Sequence, residues 1–216
     1  MARPSLIRPN LPAPMADASL ATDEALDRLL RDVRACARCS DALPYGPRPV
    51  VQAGRTARLC IIGQAPGRKV HETGIPWNDP SGVRLRDWLG ITAEQFYDPA
   101  TVAIIPMGFC YPGKAPSGDN PPRPECAPLW HDRLLAELPR AGLTLLIGHY
   151  AQGRYLGGRR KATMGDTIRS WRDYLPQGYL PLPHPSPRNT PWLAKNPWFE
   201  TELVPEVRAA VRSFSL

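Results

Sequence analysis

The sequence predicts an α/β protein, a three-layer α/β/α sandwich around a short, mainly parallel four-stranded sheet. Three observations lead there. Four short runs rich in Ile, Leu and Val are bounded by Gly and Pro, segments with apolar residues at helical spacing lie between them, and 216 residues with 43% hydrophobic side chains suffice for one core. Strands that alternate with helices favour parallel pairing, because each return to the same sheet needs a crossover.

Taken in order, residues 1–20 hold Pro4, Pro9, Pro12 and Pro14 among small residues and read as a mobile tail ahead of a single domain over 21–216. Thr22 is placed to cap a helix with Asp23 and Glu24 in its first turn, and Leu26, Leu29, Leu30 and Val33 share one face up to a stop near Cys36. Beyond Pro44, Pro47 and Pro49, residues 57–63 form a buried strand that ends in Gly-Gln-Ala-Pro-Gly over 63–67. A second strand is expected over 101–105, a third over 143–147 and a weaker fourth over 178–182. Helices are expected over 81–89 (capped by Ser81, stopped by Gly90), 125–138, 150–156, 163–174 and 200–214. The last aligns Leu203, Val207, Ala210, Val211 and Phe214. In such sheets ligands bind beyond the carboxyl ends of the strands. Here those ends are 63–67, 106–110, 148–150 and 183–189, and one cleft can gather all four.

Composition narrows the partners. The formal net charge is +7, and between His149 and Trp198 eight Arg and Lys residues face only Asp166 and Asp173. A basic balance of this kind favours an anionic partner. The 27 prolines far exceed the roughly 5% of ordinary proteins. Six Trp, seven Tyr and only 22% charged residues argue against disorder, so the prolines read as stiff loops. No apolar run reaches the roughly 18 residues of a membrane span. Met1-Ala-Arg-Pro-Ser is no signal peptide. A cytoplasmic protein without a membrane partner is expected.

Of five cysteines, Cys60 falls inside the first strand and is expected to be buried. Cys36 and Cys39 form Cys-x2-Cys, and Cys110 and Cys126 follow as Cys-x15-Cys. Four thiolates suit zinc or an iron–sulfur cluster, Cys-x2-Cys also suits a redox pair, and unligated thiols are the simplest reading.

Gly63-Gln-Ala-Pro-Gly67 followed by Gly74-Ile-Pro-Trp77 resembles the first motif of the iron–sulfur, or family 4, uracil-DNA glycosylases. His184-Pro-Ser-Pro-Arg-Asn189 is similar to the second motif of the single-strand-selective monofunctional uracil glycosylases, and the cysteine spacings look like family 4 cluster ligands. Two positions depart from family 4: Gln64 stands where it has Glu, and Pro106 where it has Asn.

The resemblance implies a monofunctional enzyme that flips uracil out of DNA and hydrolyses the N-glycosidic bond, leaving an abasic site. It implies a [4Fe–4S] cluster on Cys36, Cys39, Cys110 and Cys126, with zinc as the alternative occupant. His184 is expected to donate to the uracil O2 as charge develops there. Gln64 and Glu72 are the expected water-activating residues, with Asp79 and His71 as further candidates for the missing acid. Ala65, Trp77 (as stacking platform), His71 and Asn78 are expected around the base. Ser186, Pro187, Arg188 and Asn189 are expected on the DNA. The partner is uracil-containing DNA, single- or double-stranded, and the protein a monomer. The competing readings are a non-catalytic or slowly releasing binder of damaged, abasic or single-stranded DNA, and a glycosylase for another deaminated base such as hypoxanthine.

Overall fold

The computed structural model describes residues 16–213; residues 1–15 of the expected tail, and Phe214, lie outside them. Four strands, β1 (Leu59–Ile62), β2 (Val102–Ile104), β5 (Leu143–Ile147) and β6 (Tyr179–Leu182), form one parallel sheet in the order β2-β1-β5-β6. Leu59 pairs with both Val102 and Leu143, and Leu145 pairs with Leu180. β6 carries Pro181 and lies at the sheet edge, where a missing N–H costs no ladder bond to a further strand. Gln152, fully buried, donates to the carbonyls of Leu146 and Leu182 and so ties the ends of β5 and β6.

Strand periodicity divides the core in two. Leu59, Ile61, Leu145 and Ile147 face one layer, made by α3 (Pro80–Leu89), α4 (Ala93–Tyr97), α7 (Met164–Arg169), α8 (Trp171–Tyr174) and α10 (Val204–Arg212). Cys60, Ile62 and Leu146 face the other, made by α1 (Ala16–Arg34), α5 (Cys126–Ala136) and α6 (Gly148–Leu156). The result is the three-layer α/β/α sandwich expected from the sequence. Among the described residues no helix is long and apolar enough to cross a membrane.

Several boundaries differ. α1 begins at Ala16, so residues 16–20 are helical and Thr22 does not cap it. α3 is capped by Asp79, whose Oδ1 accepts the Gly82 N–H at 2.9 Å, and not by Ser81. The helix expected over 163–174 breaks at Ser170 into α7 and α8. The last helix opens with a π-turn at Phe199–Leu203 before α10, because Pro205 has no N–H to continue the regular ladder. Short polar elements had no readable period: α2 (Arg68–Thr73), α9 (Thr190–Lys195) and a two-stranded hairpin, β3 (Lys114–Ala115) with β4 (Gly118–Asp119).

Candidate active site

All four strand ends contribute to one cleft of ≈ 530 Å³, a volume suited to a small planar ligand. Gly63 to Gly67 follow β1, Pro106 follows β2, His149 and Tyr150 open α6 after β5, and His184, Ser186, Arg188 and Asn189 follow β6. The β1 loop is held from behind: the Met107 and Gly108 amides donate to the carbonyls of Gly63 and Gln64, each at 2.9 Å. The Gln64 side chain therefore projects from a fixed backbone at the cleft wall.

Trp77 sits with φ at 55°, the one non-glycine residue in the left-handed region among the described residues. Such strain persists only where surroundings enforce it, and it concentrates at functional sites. A Cβ on Gly63 would stand 2.8 Å from the Trp77 ring, so the glycine lets the indole lie against the motif backbone. The ring also packs on the core face and comes 5.4 Å, centre to centre, from the imidazole of His184.

His184 has a defined tautomer. Its Nδ1 accepts the Ser186 N–H at 3.2 Å, so in the neutral ring Nε2 carries the proton and is free to donate. Burial pushes its pKa down, against a smaller upward pull from Asp79. The loop around it is braced. Asn189 donates to the His184 carbonyl at 2.7 Å, and Arg84 on α3 reaches the Ser186 carbonyl at 3.3 Å. Pro187 is exposed on the turn Pro187–Asn189 and does not line the cleft. Arg188 lies across the mouth against Gly118, where any side chain would overlap its guanidinium.

Three residues expected in the site stand elsewhere: Glu72, expected to activate water, and His71 and Asn78, expected around the base. Glu72 is on the exposed side of α2, paired with Arg68 at 2.8 Å, because the helical turn from Gly67 carries it away from the cleft. His71 does not line the cleft; its ring lies 6.0 Å from those of Tyr45 and Tyr111, and its buried Nδ1 has no hydrogen-bond partner among the described residues. Asn78 does not line the cleft, although its neighbours Trp77 and Asp79 do. The carboxylates that do are Asp79 and Asp119. Asp119 arrives on the hairpin and accepts a long hydrogen bond (3.4 Å) from the Tyr111 hydroxyl. Only its turn-forming neighbours Ser117-Gly118 marked that stretch in the sequence.

The four cysteines meet in a separate small cavity lined by Val33, Leu43, Phe109 and Trp130. Among the described residues no three His, Cys, Asp or Glu side chains converge as a single metal ion would require. A cluster makes a different demand, since each thiolate grips its own iron at a corner. Cys36, Cys39, Cys110 and Cys126 bring four thiols, the number of corners in such a cluster, to the lining of one cavity. Burial pushes the Cys110 thiol up to about 11, the Arg48 amide pulls it back, and the sulfurs of Cys126, Cys36 and Cys39 are near enough to raise it further. Cys126 is likewise raised by burial and partly relieved by the Phe109 amide. Cys60, buried inside β1, is pushed up to about 12 by desolvation alone and takes no part.

In a comparison with known protein families, the description "Uracil DNA glycosylase superfamily" matches residues 51–208, which take in the whole sheet and nearly all of the cleft.

Proposed function

The chain belongs to the uracil-DNA glycosylase superfamily, and from that premise we propose that it is a monofunctional enzyme that excises uracil from DNA. The carrying observation is the approach of the His184 imidazole, whose Nδ1 accepts the Ser186 N–H, to within 5.4 Å of the Trp77 ring at the wall of one cleft. A flipped uracil stacked on Trp77 presents its carbonyls to the cleft rim, where an Nε2–H can stabilise the negative charge that grows as the N-glycosidic bond breaks. A neutral donor suits this step, because no proton need be fully transferred. Water must then reach the sugar. Gln64 can orient it through its side-chain amide, and Asp119 or Asp79 supplies a carboxylate in place of the familiar Glu. Arg188 at the mouth contacts a phosphate or fills the vacated stack.

The decisive experiment offers the protein uracil-containing single- and double-stranded oligonucleotides and cleaves any abasic sites with alkali. Strand breaks at uracil are expected; breaks only in matched strands that carry hypoxanthine would move the substrate to that base. Tight, salt-dependent binding without breaks would replace this reading with that of a non-catalytic binder.

Cys36, Cys39, Cys110 and Cys126 would hold a [4Fe–4S] cluster, which when bound supplies a brace joining three chain segments. From Cys110 back along the chain, the Gly108 and Met107 amides carry this brace to the Gln64 and Gly63 carbonyls, so its role is to position the base-binding loop. Freshly purified protein should be brown and carry iron and acid-labile sulfide; a colourless protein containing zinc would overturn the assignment.

A further inference from the structure

Beside the cleft lies a second, exposed surface that the excision chemistry does not use. Tyr111 is buried, and the ring of Tyr45 stacks on it at 5.5 Å and 24°. Tyr45 is itself 52% exposed, so one face of the phenol covers a core aromatic and the other is open to solvent. His71 closes the edge of the pair. Two exposed arginines lie on the segments that carry it: Arg48, three residues after Tyr45, and Arg68, three residues before His71. Arg68 is paired with Glu72 at 2.8 Å on the exposed side of the helix that also carries His71. The Arg48 guanidinium donates to the Glu72 carbonyl at 3.0 Å and has no carboxylate partner among the described residues.

The ring is also well placed. Tyr45 lies in a turn closed by the Gly46 N–H on the Leu43 carbonyl at 3.0 Å, between Pro44 and Pro47. Leu43 lines the cysteine cavity, so the turn is anchored where the four thiols meet. On its other side the patch joins the cleft, because Tyr111 bonds to Asp119 and Asp119 lines the cleft together with Gly67.

We propose that the open face of Tyr45 is a stacking platform for one nucleobase beside the excised nucleotide, with Arg48 and Arg68 facing the adjoining phosphates. The proposal rests on the reading of the partner as DNA. Stacking on an aromatic ring tolerates any base, since each has a π-face, and basic side chains around the ring hold the backbone. A base fully stacked within a duplex has no free face to offer, so the platform selects DNA that is single-stranded or open on that side.

The test uses the full chain and single-stranded oligonucleotides that carry 2′-fluoro-deoxyuridine, which resists excision. Nucleotides flanking the uracil are replaced one at a time by a propyl spacer that lacks both base and sugar. For the wild type and Tyr45→Phe, the spacer at one flanking position should weaken binding about tenfold. Tyr45→Leu still covers Tyr111 with apolar atoms but offers no π-face. It should bind the intact strand about tenfold more weakly and lose less than about twofold on insertion of the spacer at that position. Additive losses in Tyr45→Leu, or a Tyr45→Phe that behaves like it, would overturn the platform. Excision from unmodified uracil strands is measured in parallel on the wild type. Missing abasic product with the binding pattern intact sinks the glycosylase reading alone, whereas normal excision with additive losses sinks the platform alone.

Discussion

At His184, burial and one backbone amide act together: desolvation disfavours the imidazolium, and the Ser186 N–H occupies Nδ1, leaving the single proton on Nε2. Because its pKa lies below the usual 6.5, the neutral ring persists through neutrality; acid adds a second proton at Nδ1, which leaves the Nε2 donor in place but displaces the Ser186 N–H that holds the ring and its loop. Single-turnover excision should therefore stay flat near neutral pH and fall only below 6.5. Asp79 pulls that pKa up, so Asp79→Asn, which can still cap α3, should move the acid limb to still lower pH. An acid limb centred above 6.5 would contradict this account. His184→Ala should cost about 10²–10³-fold in the same assay. His184 was legible in the sequence because Pro183, Pro185 and Pro187 exclude it from helix and strand. The tautomer was not, since it depends on where one backbone N–H points.

The loops after β1 and β6 carry the site, and proline supplies much of their stiffness. Pro187 is exposed, buries little and lines nothing, yet it fixes the start of the turn that presents Arg188 and Asn189. Pro187→Gly should lower unfolding stability by no more than about 1 kcal/mol, because its main effect is on the freedom of the unfolded chain. It should slow excision about tenfold, because a misplaced loop loses orientation of the reacting groups. Denaturant unfolding and single-turnover rates separate the two, and proportionate losses in both would count against loop stiffening. At this scale the strands were the most legible elements, as Leu143–Ile147 and its neighbours are apolar runs with clear stops. The hairpin that delivers Asp119 was invisible, because strands of two residues have no period to read.

Across the whole molecule, the sheet, the cleft and the cysteine cavity are coupled through residues 106–110 and through His131. That imidazole is wholly buried on α5; it donates from Nε2 to the Pro106 carbonyl at 3.0 Å and accepts the Tyr155 hydroxyl at Nδ1 at 2.6 Å. Burial lowers its pKa from 6.5 to about 4. The unfolded chain therefore takes up a proton before the folded one does. Stability is fully present above 6.5 and is lost as pH falls from there towards about 4, by roughly 3 kcal/mol. Urea unfolding across that range should show the slope, and His131→Gln, which keeps a donor for Pro106, should flatten it. By itself the sequence determined the fold class and the gathering of four strand ends into one cleft. Those follow from periodicity and loop chemistry, which act over a few neighbouring residues. Only the tertiary structure decided that Asp119 and Asp79 face the cleft while Glu72, His71 and Asn78 do not. The direction of a side chain on a short helix or hairpin is set by what that element packs against, and those partners are distant in the chain.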